Sequence, residues 1–229
     1  MGSRALAVVC CDAAAAHARF GVEDGKAGVI YTRTGRPFFA DDALEAAVVT
    51  RLAQAVGAAG LWESLGTDWV VLDTELMPWS AKARELLQKQ YNPTVAAARA
   101  SATFLLDALA GTQIEGTDDL FATAEALREK ADAMGRTIDG YCWEAADVSD
   151  YRIAPFHLLA SEGQVHDDKT NSWHMETLAA LTEADPILQA TGWRRIDPGD
   201  AGQRREVIDW WLEHTAKGGE GMVVETEPF

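Results

Sequence analysis

The chain has 229 residues, a mass of 24.8 kDa and a formal net charge of −16. Its length and a hydrophobic content of 48% allow one large folded domain, or a core with an insert, and exclude a disordered chain. So acidic a chain has no general attraction for nucleic acid, whose binding rests on neutralised phosphates. From charge alone the favoured reading is a protein that never touches nucleic acid; the opposite reading needs the few arginines gathered in a cleft. No run approaches the roughly 18 uninterrupted apolar residues of a membrane span, and the N-terminus lacks the order of a secretory signal. Three cysteines, two of them adjacent at Cys10 and Cys11, make no disulfide framework. A cytoplasmic location is the resulting expectation.

In chain order, residues 4–11 read as a short core strand, and 28–32 as a second one running into the basic turn Thr32-Arg-Thr-Gly-Arg36. Leu44, Ala47, Val48, Leu52, Ala55 and Val56 then recur at helical spacing behind an Asp41-Asp42 start. A third strand at 69–72 leads into Asp73-Thr-Glu75. From residue 80 to about 146 the texture turns to Ala, Leu, Glu, Lys and Arg, broken once at the turn 111–116. It predicts two long antiparallel helices, 80–110 and 117–133, packed on each other through alanine-rich faces, and a shorter segment through Trp143. Strand character returns at 151–159, helices follow at 172–184 and 201–216, and a final core strand is expected at 221–224.

Several segments carry residues suited to chemistry. Asp73 and Glu75 alternate onto one face of a strand end, fit either to bind metal or hydroxyls or to meet solvent. Arg33 and Arg36 flank a tight turn suited to gripping phosphate oxygens, or to pairing with neighbouring acids. Glu220 lies between glycines at the mouth of the expected last strand, where backbone can approach a ligand and the carboxylate can hold a divalent cation. A plain glycine turn is the simpler account of it. His166-Asp-Asp168 with His174 matches no zinc or calcium spacing and reads as a solvated loop. No nucleophilic triad and no phosphate loop is present.

Taken in order, the strand behind Gly2-Ser-Arg4, the basic turn, the Asp-x-Glu strand end and the Glu-Gly-Met-Val-Val segment resemble the covalent nucleotidyltransferases, the ATP-dependent ligases and capping enzymes. The fuller phrases at 31–39, 72–83 and 218–224 are similar to the ligase domain of bacterial polynucleotide kinase-phosphatases, RNA-repair enzymes, and that resemblance spans nearly the whole chain. It implies an α+β fold of mixed antiparallel sheets, with core parts at 1–79 and 147–229 around a helical insert at 80–146. It implies ATP and Mg²⁺ or Mn²⁺ as cofactors. In the implied reaction a neutral lysine amine attacks the α-phosphate of ATP and pyrophosphate leaves; AMP then passes to an RNA 5′-phosphate and is displaced by a 3′-hydroxyl. Arg4 is then expected to contact ribose or phosphate, Arg33 and Arg36 phosphate and RNA, Glu75 ribose, Phe156 adenine, and Glu220 the metal.

The nucleophile is expected upstream of Met1, three residues before the glycine that Gly2 matches. No lysine in the chain has the same Lys-x-x-Gly spacing: Val29, Glu85, Asn92, Ala133, Ser172 and Glu220 stand where the glycine should be. The expectation is a ligase-type domain without self-adenylation as an isolated chain. Its alternatives are a degenerate ATP- or RNA-binding module and a piece with no activity of its own. Expected partners are 5′-phosphorylated RNA, kinase and phosphatase domains, an RNA 3′-end methyltransferase, and a second copy of the chain through a sheet edge left open.

Overall fold

The computed structural model describes residues 2–111 and 116–228. Met1, Phe229 and the middle of the expected turn, residues 112–115, lie outside them. The chain divides into two compact units, one made of Met1–Met77 with Ala145–Phe229 and the other of Pro78–Glu144.

The first unit is built on five antiparallel strands in the order β2-β1-β3-β4-β5: β1 (Ser3–Cys10), β2 (Gly28–Thr32), β3 (Trp69–Met77), β4 (Arg152–Ser161) and β5 (Gln164–Val165). Strand alternation sends Ala5, Ala7 and Val9 of β1 and Val70, Leu72 and Leu76 of β3 to one buried face. Helices α2 (Asp42–Ala58) and α7 (Asn171–Glu183) cover it with Val48, Leu52, Val56, Leu178 and Leu181. The Asp41 carboxylate caps α2 by accepting from Ala43 and Leu44 N–H, as the acidic entry predicted. Glu45 on α2 is buried; it takes the Ile30 N–H of β2 at 3.0 Å and the Lys26 ammonium at 2.7 Å. On the opposite face, the short helix α1 (Ala13–Phe20), which sequence periodicity did not reveal, covers one end through Ala16, Cys10 and Trp69. A second short helix, α3 (Leu61–Leu65), follows α2. The other end of that face holds the polar residues described below.

Residues 221–224 are not a strand. Val223 and Val224 are 84% and 91% exposed, and this segment follows α8 (Ala201–Ala216) without regular structure or a ladder. Its short apolar run has the local look of a strand, but a strand needs a neighbour with free backbone groups. The outer side of β4 is already engaged: Ile153 and Gln189 exchange backbone bonds with Ile187 and Ile153, and β5 pairs at the far end. On the other side of the sheet, Phe38 N–H bonds Ile30 O and Thr32 N–H bonds Arg36 O. Among the described residues both edges are thus engaged over part of their length, and β5 ends the sheet after only two residues.

The second unit contains α4 (Ser80–Leu86), a π-helical turn (Leu87–Tyr91), α5 (Asn92–Ala110) and α6 (Asp118–Tyr141). The expected first helix is thus interrupted by the π turn, and the second runs on to Tyr141 and absorbs the separate short segment. Pro93 accounts for the π turn, because proline has no N–H to give and its ring crowds the carbonyl four residues back, that of Lys89. α5 and α6 pack through small residues, Ala102, Ala124 and Ala131. At Gly135 a side chain would collide with the Arg99 guanidinium, which is paired to Asp132 at 2.7 Å. No described helix is long and apolar enough to cross a membrane.

Candidate functional site

The pocket is assembled by strand register. Arg4 on β1 stands opposite Glu75 on β3, and Leu6 opposite Asp73, so Arg4, Asp73 and Glu75 share the face away from α2 and α7. Arg4 Nε donates to both Asp73 oxygens at 2.9 and 3.0 Å, and Nη2 adds a second prong to Oδ2. The two partners differ in setting. Asp73 is 1% exposed and the Arg4 side chain 50%, so a buried carboxylate fixes a guanidinium whose outer side stays open. The hydrogen bond to Asp73 raises the Arg4 pKa further above its already high ordinary value. Glu75 Oε1 accepts the Gly2 backbone N–H at 2.7 Å. Gly2 is needed there, since a Cβ would press into the Leu76 carbonyl.

Phe156 enters through a bulge. Asp73 pairs with His157 and Thr74 with Pro155, which leaves Phe156 with no residue opposite. Pro155 lacks an N–H, the kind of residue that a bulge tolerates, and the extra residue re-aims its side chain. The Phe156 ring comes to lie 5.6 Å from the Arg4 guanidinium carbon and packs edge-on against His157 at 5.3 Å. The structure therefore gathers Arg4, Glu75 and Phe156, with Asp73 as the anchor beneath them.

Sequence reasoning missed two neighbours of this group. His157 is buried, and burial pulls its pKa below the ordinary value against the opposing pull of Glu225 and Asp73. Glu225 lies 3.7 Å from His157 Nε2 and is held by Asn171 Nδ2 at 2.6 Å. Nothing local marks Glu225; it arrives because the segment 225–228 lies along the start of α7. Asn171 N–H bonds Glu227 O there, Ser172 Oγ bonds Glu227 Oε2 and Thr170 bridges Pro228.

The other expected residues lie apart from this group. Arg33 and Arg36 are exposed on the turn after β2, which is closed by Gly35 N–H to Thr32 O and by Thr32 Oγ1 with Arg36 N–H. Gly35 sits at φ 78°, where its missing side chain avoids strain. Among the described residues no ion pair joins either arginine to an acid. Glu220 is exposed on the glycine-rich stretch after α8, not at the mouth of a strand. No group of three His, Cys, Asp or Glu fit to cage a metal occurs among the described residues. One carboxylate suits an ion such as Mg²⁺ that keeps waters and comes with phosphates, and not a cage made by protein groups only.

The histidines expected in a solvated loop are buried. His166 Nε2 lies 3.0 Å from Ser161 Oγ, and His174 Nδ1 accepts the Leu158 N–H at 3.3 Å. His157 and His174 are 5.1 Å apart, ring to ring, with Trp173 against both His166 and His174. Burial, then the neighbouring histidines, lowers the His174 pKa to about 4. Of the loop, only Asp167 and Asp168 are exposed as expected.

Comparison with known proteins adds the following. The family model described as PNKP adenylyltransferase domain, ligase domain, matches residues 1–229. A chain in the solved structure of a Pnkp1/Rnl/Hen1 complex superposes on 96% of this chain with a TM-score of 0.58 and 14% identity. A chain of the Pnkp1/Rnl/Hen1 RNA repair complex does so over 94%, with a TM-score of 0.53 and 15% identity. At such identity the likeness is one of fold. This chain spans only 59% and 57% of the lengths of those two chains. No curated protein matches the sequence.

Proposed function

The chain belongs to the family of PNKP adenylyltransferase (ligase) domains, and from that premise we propose that it binds ATP as the nucleotide-handling core of an RNA ligase. The observation that carries this reading is the open side of Arg4 above Phe156, with Asp73 holding the guanidinium from below. Arginine has five N–H donors, so those not given to Asp73 remain for a ribose hydroxyl or a phosphate. Adenine stacks on the free face of the Phe156 ring. Glu75 spends one oxygen on Gly2 and keeps the other for a ribose hydroxyl. Arg33 and Arg36, free of acids, grip phosphate or RNA from the β2 turn. Glu220 holds Mg²⁺ or Mn²⁺ arriving with the triphosphate; the ion supplies charge neutralisation at the phosphates.

None of the six lysines of this chain stands three residues before a glycine, the spacing that the resemblance requires of the attacking amine. Lys26 is buried among Asp24, Asp42 and Glu45, and its hydrogen bond to Glu45 keeps it an ammonium ion, which is no nucleophile. Lys169 and Lys217 are paired to Asp168 and Glu213. That observation also favours a second reading, noncovalent binding of ATP or RNA. The helical segment 80–146 acts in either case as an insert in the core formed by 1–79 and 147–229. By analogy with the assembly named for the structural neighbours, kinase and phosphatase domains and an RNA 3′-end methyltransferase are its partners, and RNA 5′-phosphate ends its substrate, in the cytoplasm.

ATP titration by calorimetry tests the pocket, and incubation with α-labelled ATP and Mg²⁺ tests the lysines. Binding with no covalent label is expected. Absence of heat at millimolar ATP would sink the pocket, and a stable labelled band would overturn the exclusion of the chain's own lysines.

A further inference from the structure

We propose that a second arginine site, at the start of α8, binds single-stranded RNA through a phosphate and a stacked base. This rests on the reading of the chain as an RNA-handling domain and names where the RNA lies. Arg194, Arg195 and Ile196 form one wall of a cavity of about 350 Å³, and Gln203, Glu206 and Val207 on the first two turns of α8 form the other. The lining thus includes two arginines and one amide side chain against one carboxylate, that of Glu206. The Arg194 guanidinium lies 4.5 Å from the centroid of the Trp210 ring, so its plane is fixed by stacking. Arg195 reaches Glu227 only at 3.9 Å, a long contact that leaves its fork available for phosphate oxygens.

The helix that carries this cavity is not a core helix. Asp200 caps it by accepting from Gly202 and Gln203 N–H, yet none of its side chains is buried. Ile208, Trp211 and Leu212 are about half exposed along it, and Trp193 shows 40% of its surface beside Arg194. Exposed indoles next to guanidiniums suit unpaired bases, which stack on aromatic rings while arginines track the backbone. In a chain with net charge −16, such a local arrangement is the form that RNA binding has to take.

The terminal segment links the cavity to the nucleotide pocket. Glu227 approaches Arg195, and Glu225, two residues earlier and so within roughly 7 Å of chain, lies beside His157 next to Phe156. An RNA end seated on Arg195 thus approaches the pocket at Phe156 and Arg4 along the segment 225–227.

The test uses a 5′-phosphorylated, fluorescently labelled single-stranded RNA of about ten nucleotides. Anisotropy is measured with the full chain, with the pair R194A/R195A and with R195Q, and ATP calorimetry is run on the same proteins. The pair should weaken RNA binding about tenfold or more and flatten its salt dependence, with ATP affinity held within about twofold. R195Q, at an exposed position, should lose RNA affinity without disturbing the fold. RNA affinity unchanged in R195Q would overturn the proposal, as would displacement of the RNA by an acidic peptide of equal charge at equal concentration. Wild-type protein that binds ATP but not RNA would overturn this inference alone. Protein that binds neither would bring down the functional reading beneath it.

Discussion

Arg4 and Arg194 both lie over an aromatic ring, Phe156 in one case and Trp210 in the other, yet they belong to regions built on different terms. Arg4 stands on β1, pinned by a carboxylate buried in β3, over a residue displaced by a bulge in β4. Three strands and their covering helices specify its position. Arg194 is stacked on a helix that buries none of its side chains. The first region is fixed by the fold and so binds with a preset geometry, and a change in the buried sheet beneath it disturbs fold and pocket together. The second owes little to the core, so its residues can change with little effect on stability.

The largest effect that can test this contrast is at Leu72, fully buried on β3 beneath the pocket. Leu72→Ala should lower unfolding free energy by about 2–5 kcal/mol in urea denaturation and weaken ATP binding with it. A loss under 1 kcal/mol would mean that the sheet is less committed than its packing indicates.

Acid should act next. His174 titrates at about 4 in the folded chain against 6.5 ordinarily, because burial disfavours its cation; His157 and His166 are lowered for the same reason. Between those values the unfolded chain binds protons that the folded chain refuses. Stability is therefore full above about pH 6.5 and falls as pH drops toward 4, by on the order of 3 kcal/mol from His174. Denaturation midpoints taken across this window would expose a flat profile if the histidines were accessible.

Phe156→Ala should weaken ATP binding about tenfold through lost stacking, read by calorimetry, with the far-UV spectrum unchanged. An unchanged affinity would separate the bulge from nucleotide binding. The smallest effect belongs to α8, where Leu212→Ala should shift unfolding free energy by no more than about 0.5 kcal/mol. A loss several times larger would show that α8 is held by the core after all, and would erase the contrast.

Where a segment's fate depends on its own residues, the sequence disclosed it. The Asp41 cap and the apolar spacing behind it located α2, and the β-rich runs located β1, β2, β3 and β4 to within a few residues. Arg4, Glu75 and Phe156 were legible through the resemblance of whole phrases, and the structure brings them together. Asp73 as the anchor of Arg4 depends on register between strands 69 residues apart, which no local pattern carries. The same limit misled at 221–224, where a short apolar run with the look of a strand met no free edge. It hid Glu225, delivered by the path of the terminal segment, and it made a solvated loop of His166 and His174, which contacts across β4 and α7 bury. α1 was readable after all, since Asp12 caps its start and Gly21, at φ 68°, its end.

The π turn at Leu87–Tyr91 has a bearing on ancestry. A helix accepts one surplus residue in such a turn and resumes its ordinary pitch afterwards, whereas an unabsorbed insertion would rotate everything downstream by about 100°. Lineages that are one residue shorter between Trp79 and Asn92 should run straight through this stretch. They should also carry something other than proline where Pro93 stands, since an unbroken α-helix would have no room for its ring. The length of the chain here and the identity of one residue should therefore have changed together.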